Sequence, residues 1–240
     1  MNKESQAMLS YLCNSTMQGL FSGLCIGLGA LVSTIALTGN TSFGIGKLIA
    51  SAAFSAGLIM SFMANGKLYT GMCAFITRDI DKGVYPVTIL LNLMLAWASN
   101  FLGALVLAIF TFPVSDNVAK TFINIGLAKA SLSSEEMFIK AILCNLLVCL
   151  AVIMARKAKS LTDVVVAVGI PVTVFVVCGF EHSIANMFYL PMAKLCGAPI
   201  TLVDLANSIM IVTFGNFIGG FYMSAYANSL GEFEEEKKGK

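Results

Sequence analysis

The chain has 240 residues, of which 58% are hydrophobic and only 12% are charged. Its mean hydropathy is +0.85. Because a soluble domain has about a quarter of its residues charged, this composition excludes a soluble globular protein and indicates a membrane protein. A formal net charge of +2 without a basic stripe also argues against nucleic acid as a partner.

The N-terminal sequence MNKESQAMLSYLCNST is too polar for a secretory signal peptide, so we expect the chain to keep its N-terminus and to insert through its own spans. At the other end, the charged run EFEEEKKGK predicts a solvated, frayed tail within 229–240. The seven cysteines lie in or beside apolar runs without a CxxC pair or a zinc spacing. We interpret them as small buried apolar side chains, and we expect no cofactor.

Six segments are long and apolar enough to cross a bilayer, which takes about 20 residues of helix. They lie at about 16–37, 47–76, 86–112, 134–155, 162–195 and 201–228. The second and the fifth are too long for one crossing, and each has a polar or helix-breaking interruption, NGK at 65–67 and GFEH at 179–182. We therefore predict an all-α membrane protein that forms a single channel domain, 1–240.

Basic residues on the connections between these spans predict how the chain lies in the membrane. The densest group, ARKAK at 155–159, follows the fourth span. Since lysine and arginine are concentrated on the cytoplasmic side of membrane proteins, we expect both termini in the cytoplasm and the chain in the cell (inner) membrane. In this orientation the lysines on the outer side are Lys47, Lys120, Lys129, Lys140 and Lys194.

A short motif repeats in the third and sixth spans. NFLGA at 100–104 and NFIGG at 216–220 lie 116 residues apart, and the same offset carries the first interruption onto the second. Three spans thus repeat as three, and an odd number of crossings inverts the second copy. Inverted repeats with broken helices in equivalent positions are typical of transport pathways between two halves. The two repeats cover about 16–112 and 134–228.

The second interruption carries the only histidine of the chain, His182. Imidazole is the side chain that ordinarily changes charge near neutral pH, and ionisable groups inside a membrane are costly and usually functional. We predict His182 as a pore residue; a neutral histidine that only bonds a carbonyl is the alternative. We expect Glu181 to hold the broken loop through backbone N–H groups, and Asn186 to tie the same loop. A metal site is not expected, because two adjacent residues cannot supply three ligands.

The motifs GFEHSIANMF and GNFIGG, with CNLLVCLAV in the fourth span and LYTG after the first interruption, resemble the formate/nitrite transporter family. The resemblance extends over nearly the whole chain. It implies an aquaporin-like fold in a homopentamer, with one pore in each protomer for small monovalent anions of weak acids, such as formate, nitrite or hydrosulfide. Matched position by position, the family's pore and substrate residues fall on His182, Thr70, Lys129, Leu58, Leu68, Phe175, Phe54, Asn145 and Asn216.

The resemblance also assigns roles to these positions. Leucine and phenylalanine side chains form the apolar constriction, and Lys129 lies in the outer vestibule, where a lysine draws the anion in. Family members often have an acidic residue before LFTG or LFTS, whereas this chain has Lys67. A lysine there either raises the local anion concentration or ties down the loop. This departure favours the hydrosulfide-conducting branch of the family over the formate channels.

Because the repeat relates the two interruptions, we expect Thr70 and His182 to approach within hydrogen-bond distance, roughly 2.7–3.2 Å. Two chemical roles for His182 stay open, donation of a proton to the anion and donation of a hydrogen bond alone. A membrane enzyme is not expected, since the chain has no HExxH, no paired aspartates and no cysteine–histidine pair. The alternative function is an aquaporin-like channel for small neutral solutes, although the interruptions lack Asn-Pro-Ala motifs and a selectivity arginine.

Overall fold

A computed structural model describes residues 3–40, 42–112 and 115–233 of the chain. All regular structure in these residues is helical. The α-helices are α1 (Lys3–Leu37), α2 (Phe43–Met63), α3 (Tyr69–Met72), α4 (Ile76–Asp81), α5 (Pro86–Thr111), α6 (Asp116–Ala130), α7 (Ser134–Arg156), α8 (Leu161–Val177), α9 (Ser183–Leu195) and α10 (Leu202–Ser229), and a 3-10 turn at Cys73–Phe75 joins α3 to α4.

Five of the described helices, α1, α2, α5, α7 and α10, are long and apolar enough to cross a membrane. Helix α8 is apolar but has only 17 residues. The prediction of an all-α protein is confirmed. The predicted start of the first span at about 16 differs from the structure, in which α1 begins at Lys3 and runs for 35 residues. Once a helix is nucleated, each added residue gains a hydrogen bond, so the polar N-terminal stretch continues the helix instead of ending it.

The packing of these helices centres on α1 and α7, and α8 also packs on α2. Helix α1 packs on α2 and α5, while α7 packs on α8 and α10. Glycine allows the closest of these approaches: a Cβ atom on Gly103 of α5 would collide with the carbonyl oxygen of Leu20 in α1. In the same way, a Cβ atom on Gly219 of α10 would collide with the carbonyl oxygen of Ile142 in α7. Small residues therefore bring α5 against α1 and α10 against α7.

The chain leaves the helical conformation at two places between these helices. Residues 64–68 separate α2 from α3, and residues 178–182 separate α8 from α9. At the first place Asn65 adopts a left-handed conformation with φ of 54°, and at the second Gly179 does so with φ of 70°. Glycine takes this conformation without a steric penalty, and asparagine is the usual second choice at helix ends.

Helices α2 and α8 end with the same type of backbone hydrogen bond. The N–H of Gly66 donates to the carbonyl of Ser61 at 2.8 Å, and the N–H of Phe180 donates to the carbonyl of Phe175 at 3.0 Å. This bond spans five residues and is the mark of a Schellman ending. Corresponding residues of the two endings are 114 apart in the sequence, two fewer than the offset of the repeated NF-G motif.

The segment that follows α10 differs from the solvated tail predicted for 229–240. Residues 234–240 of that tail lie outside the described residues. Phe233 is buried at 7% exposure, and its ring packs edge-on against Phe75 with centroids 5.8 Å apart. Glu232 forms an ion pair with Lys157. Burial of the Phe233 ring against the helices stabilises this segment, because apolar surface is removed from water. The charged composition of the run does not indicate this contact.

Candidate functional site

Asn100 of α5 holds the first interruption. Its side-chain Nδ2 donates to the carbonyls of Gly19 in α1, at 2.7 Å, and of Lys67, at 2.8 Å. Its Oδ1 accepts the N–H of Tyr69, the first residue of α3, at 2.9 Å. One fully buried amide thus satisfies a carbonyl inside the non-helical segment and the first N–H of the helix that follows it.

Asn216 of α10 makes the corresponding bonds at the second interruption. Its Nδ2 donates to the carbonyls of Ala141 in α7, at 2.8 Å, and of Glu181, at 3.0 Å. Its Oδ1 accepts the N–H of Ser183, the first residue of α9, at 2.9 Å. Asn145, also predicted as a pore residue, donates from Nδ2 to the backbone carbonyl of Asn216 at 2.6 Å. These bonds give both asparagines a positioning role, and their direct contact with a substrate stays a prediction.

The side chains of Thr70 and His182 meet between the two interruptions. Thr70 lies in α3 and His182 immediately precedes α9; Oγ1 of Thr70 is 3.0 Å from Nε2 of His182. The prediction that these side chains lie within hydrogen-bond distance is confirmed. Thr70 is fully buried and His182 is 3% exposed.

A second contact fixes the direction of this bond. Nδ1 of His182 accepts the backbone N–H of Ala185 at 3.1 Å, so His182 caps the N-terminus of α9. A ring nitrogen that accepts carries no proton, and the proton of the neutral imidazole is therefore on Nε2. Nε2–H then donates to Oγ1 of Thr70. The hydroxyl proton of Thr70 is directed elsewhere, which makes Thr70 a donor to any anion beside it.

Two phenylalanines cover the imidazole. The ring of Phe175 stacks on His182 with centroids 5.8 Å apart and an interplanar angle of 20°. Phe54 packs edge-on against Phe175 at a centroid distance of 5.9 Å. Both phenylalanines are almost completely buried. The two phenylalanines predicted for the constriction thus form one layer against His182.

Glu181 binds side chains, and the expectation that it binds backbone N–H groups is wrong. Nζ of Lys129 lies 2.9 Å from both carboxylate oxygens, and Nδ2 of Asn186 donates to Oε2 at 2.7 Å. The N–H groups at the start of α9 are bonded instead by Asn216 and His182. A carboxylate that is only 4% exposed requires a positive partner, and Lys129 of α6 supplies it. Asn186 ties the same loop, as predicted.

Two cavities lie next to the Thr70–His182 pair: His182 is in the wall of one, and Gly71, which follows Thr70, is in the wall of the other. The first, here called the Lys129 cavity, has a volume of about 320 Å³, and its wall includes Phe54, Phe175, Glu181, His182, Lys47, Lys129 and Lys140. The second, called the Arg156 cavity, has a volume of about 370 Å³, and its wall includes Leu58, Leu68, Asn65, Phe75 and Arg156. Among the described residues, no side chain lines both cavities. The phenylalanines and the leucines predicted for the constriction therefore line different cavities.

Two arginines meet beside the Arg156 cavity. The guanidinium groups of Arg78 and Arg156 lie 4.4 Å and 4.9 Å from the ring centroid of Phe75. Arg78 also forms an ion pair with Asp79 at 2.7 Å. The structure thus groups these arginines at one cavity and three of the predicted outer lysines at the other.

Lys67, the departure from the family pattern, ties down the first interruption. Its Nζ donates to Oγ of Ser15 in α1 at 2.7 Å and lies 4.7 Å from the ring centroid of Tyr11. Sequence reasoning also missed Asn100 and Arg156 as site residues. The signal for Asn100 is the repeated motif itself, because Asn100 and Asn216 occupy the same position in its two copies. For Arg156 the signal is only its place in the basic cluster at 155–159.

Comparisons with known proteins match this arrangement over most of the chain. The family model described as "Formate/nitrite transporter" matches residues 2–230. A "Probable formate transporter" of Methanothermobacter thermautotrophicus is 30% identical over 223 residues, which cover 83% of this chain and 81% of that protein. The "Formate channel FocA" of Haemophilus influenzae is 28% identical over 233 residues, covering 86% and 82%. These relatives are named transporters and channels, and none of these names denotes an enzyme.

A solved structure entitled "Pentameric formate channel with formate bound" has the same fold. It superposes with a TM-score of 0.80 at 26% identity and covers 92% of this chain and 97% of that one. The family predicted from the motifs is confirmed by these matches, and so is the prediction that the protein is not an enzyme.

Proposed function

Because the chain belongs to the formate/nitrite transporter family, a family of multi-pass membrane proteins, we propose that it conducts small monovalent anions of weak acids. The candidate anions are formate, nitrite and hydrosulfide. The observation that carries the proposal is the buried Thr70–His182 contact of 3.0 Å, next to which lie two cavities with cationic side chains in their walls. We further propose a homopentamer with one pore in each protomer, because the solved relative is pentameric and has formate bound.

The proposed path runs through each protomer. An anion enters the Lys129 cavity, passes the phenylalanine layer of Phe54 and Phe175, and reaches Thr70 and His182. It then passes Leu58 and Leu68 into the Arg156 cavity. The chain lies in the cell (inner) membrane with both termini in the cytoplasm, so the Lys129 cavity is the outer vestibule and the Arg156 cavity the inner one. The ends of the single channel domain, 1–240, both lie on the inner side.

The matching bonds of Asn100 and Asn216 support six spans in two inverted repeats, about 16–112 and 134–228. In this architecture the second span is α2 with α3, and the fifth is α8 with α9, each broken at its interruption. The repeats differ at the functional position: the equivalent of His182, 114 residues earlier, is Leu68. One half of the pore thus contributes the imidazole of His182, and the other half contributes the apolar side chain of Leu68.

Hydrogen bonding at the centre offsets part of the cost of dehydrating the anion. An isolated anion between apolar side chains is strongly destabilised. Nε2–H of His182 donates to Thr70, and the Thr70 hydroxyl donates to the anion, so the two dipoles point in one direction and strengthen each other. A second proton on Nδ1 would face the N–H of Ala185. This geometry favours a hydrogen-bonding role of His182 over release of a proton to the anion.

In the outer vestibule Lys129 acts together with its partner. The Glu181 carboxylate balances the ammonium charge, so Lys129 presents a fixed donor at the cavity wall instead of an isolated positive charge. Movement of the loop at 62–70 would break the contact between Thr70 and His182 and close the pore at Leu58. We propose this movement as the gate.

A flux assay tests the proposed function. Purified protein in liposomes is compared for uptake of formate, nitrite, hydrosulfide and chloride, and for water and glycerol permeation, with protein-free liposomes as the control. We expect saturable flux of at least one of the three weak-acid anions above that of chloride. Water or glycerol permeation without anion flux would instead support the neutral-solute channel.

A further inference from the structure

The wall of the Lys129 cavity contains a tyrosine to which the proposed mechanism assigns no role. Tyr189 of α9 lies in this wall together with His182 and Ala185. Because these residues are three and then four positions apart, they lie on one face of the helix. The face of α9 that begins at the central imidazole therefore reaches, about two turns further on, the phenol ring of Tyr189.

Packing fixes the position of the Tyr189 ring. The residue is 7% exposed, and its ring centroid lies 6.4 Å from that of Phe122 and 6.1 Å from that of Phe188. Nζ of Lys129 lies 5.6 Å from the same ring centroid, which is within the range of a cation–π contact. Lys129 thus contacts both the Glu181 carboxylate and the Tyr189 ring.

The hydroxyl group of Tyr189 has a poor acceptor in the protein. Its oxygen lies 3.5 Å from the carbonyl oxygen of Ala30 in α1, whereas O–H···O bonds are ordinarily about 2.7–2.8 Å long. The same carbonyl accepts Oγ1 of Thr34 at 2.9 Å. Because the bond from Tyr189 is long and its acceptor is shared, the phenol proton can turn to a better acceptor at little cost.

A second hydroxyl in the same wall supports the phenol. Ser33 and Thr34 both lie beside the phenol oxygen, and Ser33 also lines the Lys129 cavity. Since Thr34 donates its proton to Ala30, Ser33 is the hydroxyl left to donate to the phenol oxygen. A hydroxyl that accepts a hydrogen bond becomes a stronger donor. The order is the same as at the centre, where His182 donates to a hydroxyl that can donate to an anion.

From this placement we propose that Tyr189 is a ligand-binding residue of the Lys129 cavity, and that its hydroxyl, supported by Ser33, donates to the anion before the anion reaches the phenylalanine layer. The inference rests on the proposed channel function and deepens it by assigning a subsite outside the central pair. The ammonium charge of Lys129 is balanced by Glu181. A neutral O–H group therefore adds attraction for the anion without placing another unpaired charge in a buried wall.

Three variants separate the hydroxyl groups from the ring. Tyr189→Phe removes the phenol hydroxyl and keeps the ring that contacts Lys129. Ser33→Ala removes the hydroxyl that supports the phenol. Thr38→Val is the matched control, because Thr38 is a hydroxyl residue of the same helix α1, is bonded to Thr121 at 3.0 Å and does not line the Lys129 cavity. Each protein must have the elution volume of the wild type before it is inserted into a planar bilayer.

The anion that gives the largest wild-type current, whether formate, nitrite or hydrosulfide, is titrated from the Lys129 side. We expect Tyr189→Phe to raise the half-saturating concentration by about threefold to tenfold and to lower the maximal current by less than about twofold. Ser33→Ala should raise the half-saturating concentration by a smaller factor. The double variant should be little worse than Tyr189→Phe, because Ser33 acts through the phenol. Thr38→Val should give the wild-type curve.

A binding measurement accompanies the currents. The unfolding temperature of the detergent-solubilised protein is measured with increasing concentrations of the same anion, since a ligand that binds the folded state stabilises it. We expect Tyr189→Phe to need a higher anion concentration than the wild type for the same increase in unfolding temperature.

The outcomes distinguish this inference from the proposed function. An unchanged half-saturating concentration in Tyr189→Phe, or a lower maximal current alone, would overturn the assignment of Tyr189. An equal rise in Thr38→Val would also overturn it, since the loss of any hydroxyl on α1 would then explain the effect. A wild-type protein that conducts none of the three anions would instead refute the proposed function. In that case equal stabilisation of the wild type and Tyr189→Phe by the anions would refute the subsite as well.

Discussion

Asn100 and Asn216, 116 residues apart, hold the two interruptions of the chain with the same set of three hydrogen bonds. In each set the amide nitrogen donates to two carbonyls and the amide oxygen accepts the first N–H of the helix that follows. Backbone groups that leave a helix inside a membrane have no water to bond, so the two amides take its place. The side chains that meet at the centre, Thr70 and His182, depend on this support.

Replacement of either asparagine should therefore destabilise the protein by similar amounts. Asn100→Ala or Asn216→Ala leaves buried backbone groups unpaired, at about 1–3 kcal/mol for each group. We expect a clear decrease in the thermal unfolding temperature of the detergent-solubilised protein for both variants. Asn228→Ala, at a partly exposed asparagine bonded to Asp81, is the control and should change stability by less than about 0.5 kcal/mol. An unfolding temperature of Asn100→Ala equal to that of the wild type would contradict this stabilising role of Asn100.

The buried ion pair between Lys129 and Glu181 predicts that removal of both charges destabilises the protein less than removal of the lysine charge alone. Lys129→Met leaves an unpaired buried carboxylate, and removal of one partner of such a pair costs about 3–5 kcal/mol. Because Lys129→Met with Glu181→Gln removes both charges, the double variant should be more stable than Lys129→Met alone. Thermal unfolding followed by size-exclusion chromatography measures this order. A double variant less stable than both single variants would show that the charges are not coupled.

Loss of the imidazole should change conduction without loss of the fold. His182→Phe removes the Nε2–H donor to Thr70, and we expect strongly reduced anion flux at equal membrane levels. His182→Asn keeps a polar side chain, so it should retain a pore but respond less to pH than the wild type. Flux of radiolabelled formate across a series of pH values measures both effects. The same flux and pH response in the wild type and both variants would show that His182 is not a pore residue.

The proposed assembly is tested by the mass of the intact protein. Native mass spectrometry in mild detergent should give five copies of the 25.5 kDa chain. The five pores should be separate, with the five-fold axis outside the substrate path, because each protomer contains its own pair of cavities. A stable monomer or trimer as the main species would contradict this assembly.

The sequence predicts the part of the site that depends on local pattern. Apolar length locates the long helices, and polar residues inside apolar runs locate the interruptions, near which α2 and α8 end. The contact between Thr70 and His182 follows from relating the interruptions by one repeat. The repeat gives the offset only approximately, since the helix endings correspond at 114 residues and the asparagines at 116.

Contacts between side chains that are far apart in the sequence cannot be predicted from local pattern. Lys129 meets Glu181 because α6, which no predicted span contains, packs on α9. From the sequence, Lys67 could either raise the local anion concentration or hold the loop. Its hydrogen bond to Ser15 in α1 supports the second role, and the sequence does not show that this bond forms. Arg156 lies in the wall of the Arg156 cavity and contacts Phe75. In each case the partner lies in another element of the fold, and its distance depends on packing that the one-dimensional pattern does not contain.

The bond between Thr70 and His182 is the central claim, and the anion flux of Thr70→Val tests it most directly. Valine keeps the volume of threonine but removes the hydroxyl, while Thr70→Ser keeps the hydroxyl and serves as the control. We predict that Thr70→Val conducts nearly as poorly as His182→Phe, that the double variant is little worse than either, and that Thr70→Ser conducts well, because the two groups act as a unit. Wild-type flux in Thr70→Val, or losses that add fully in the double variant, would contradict the account.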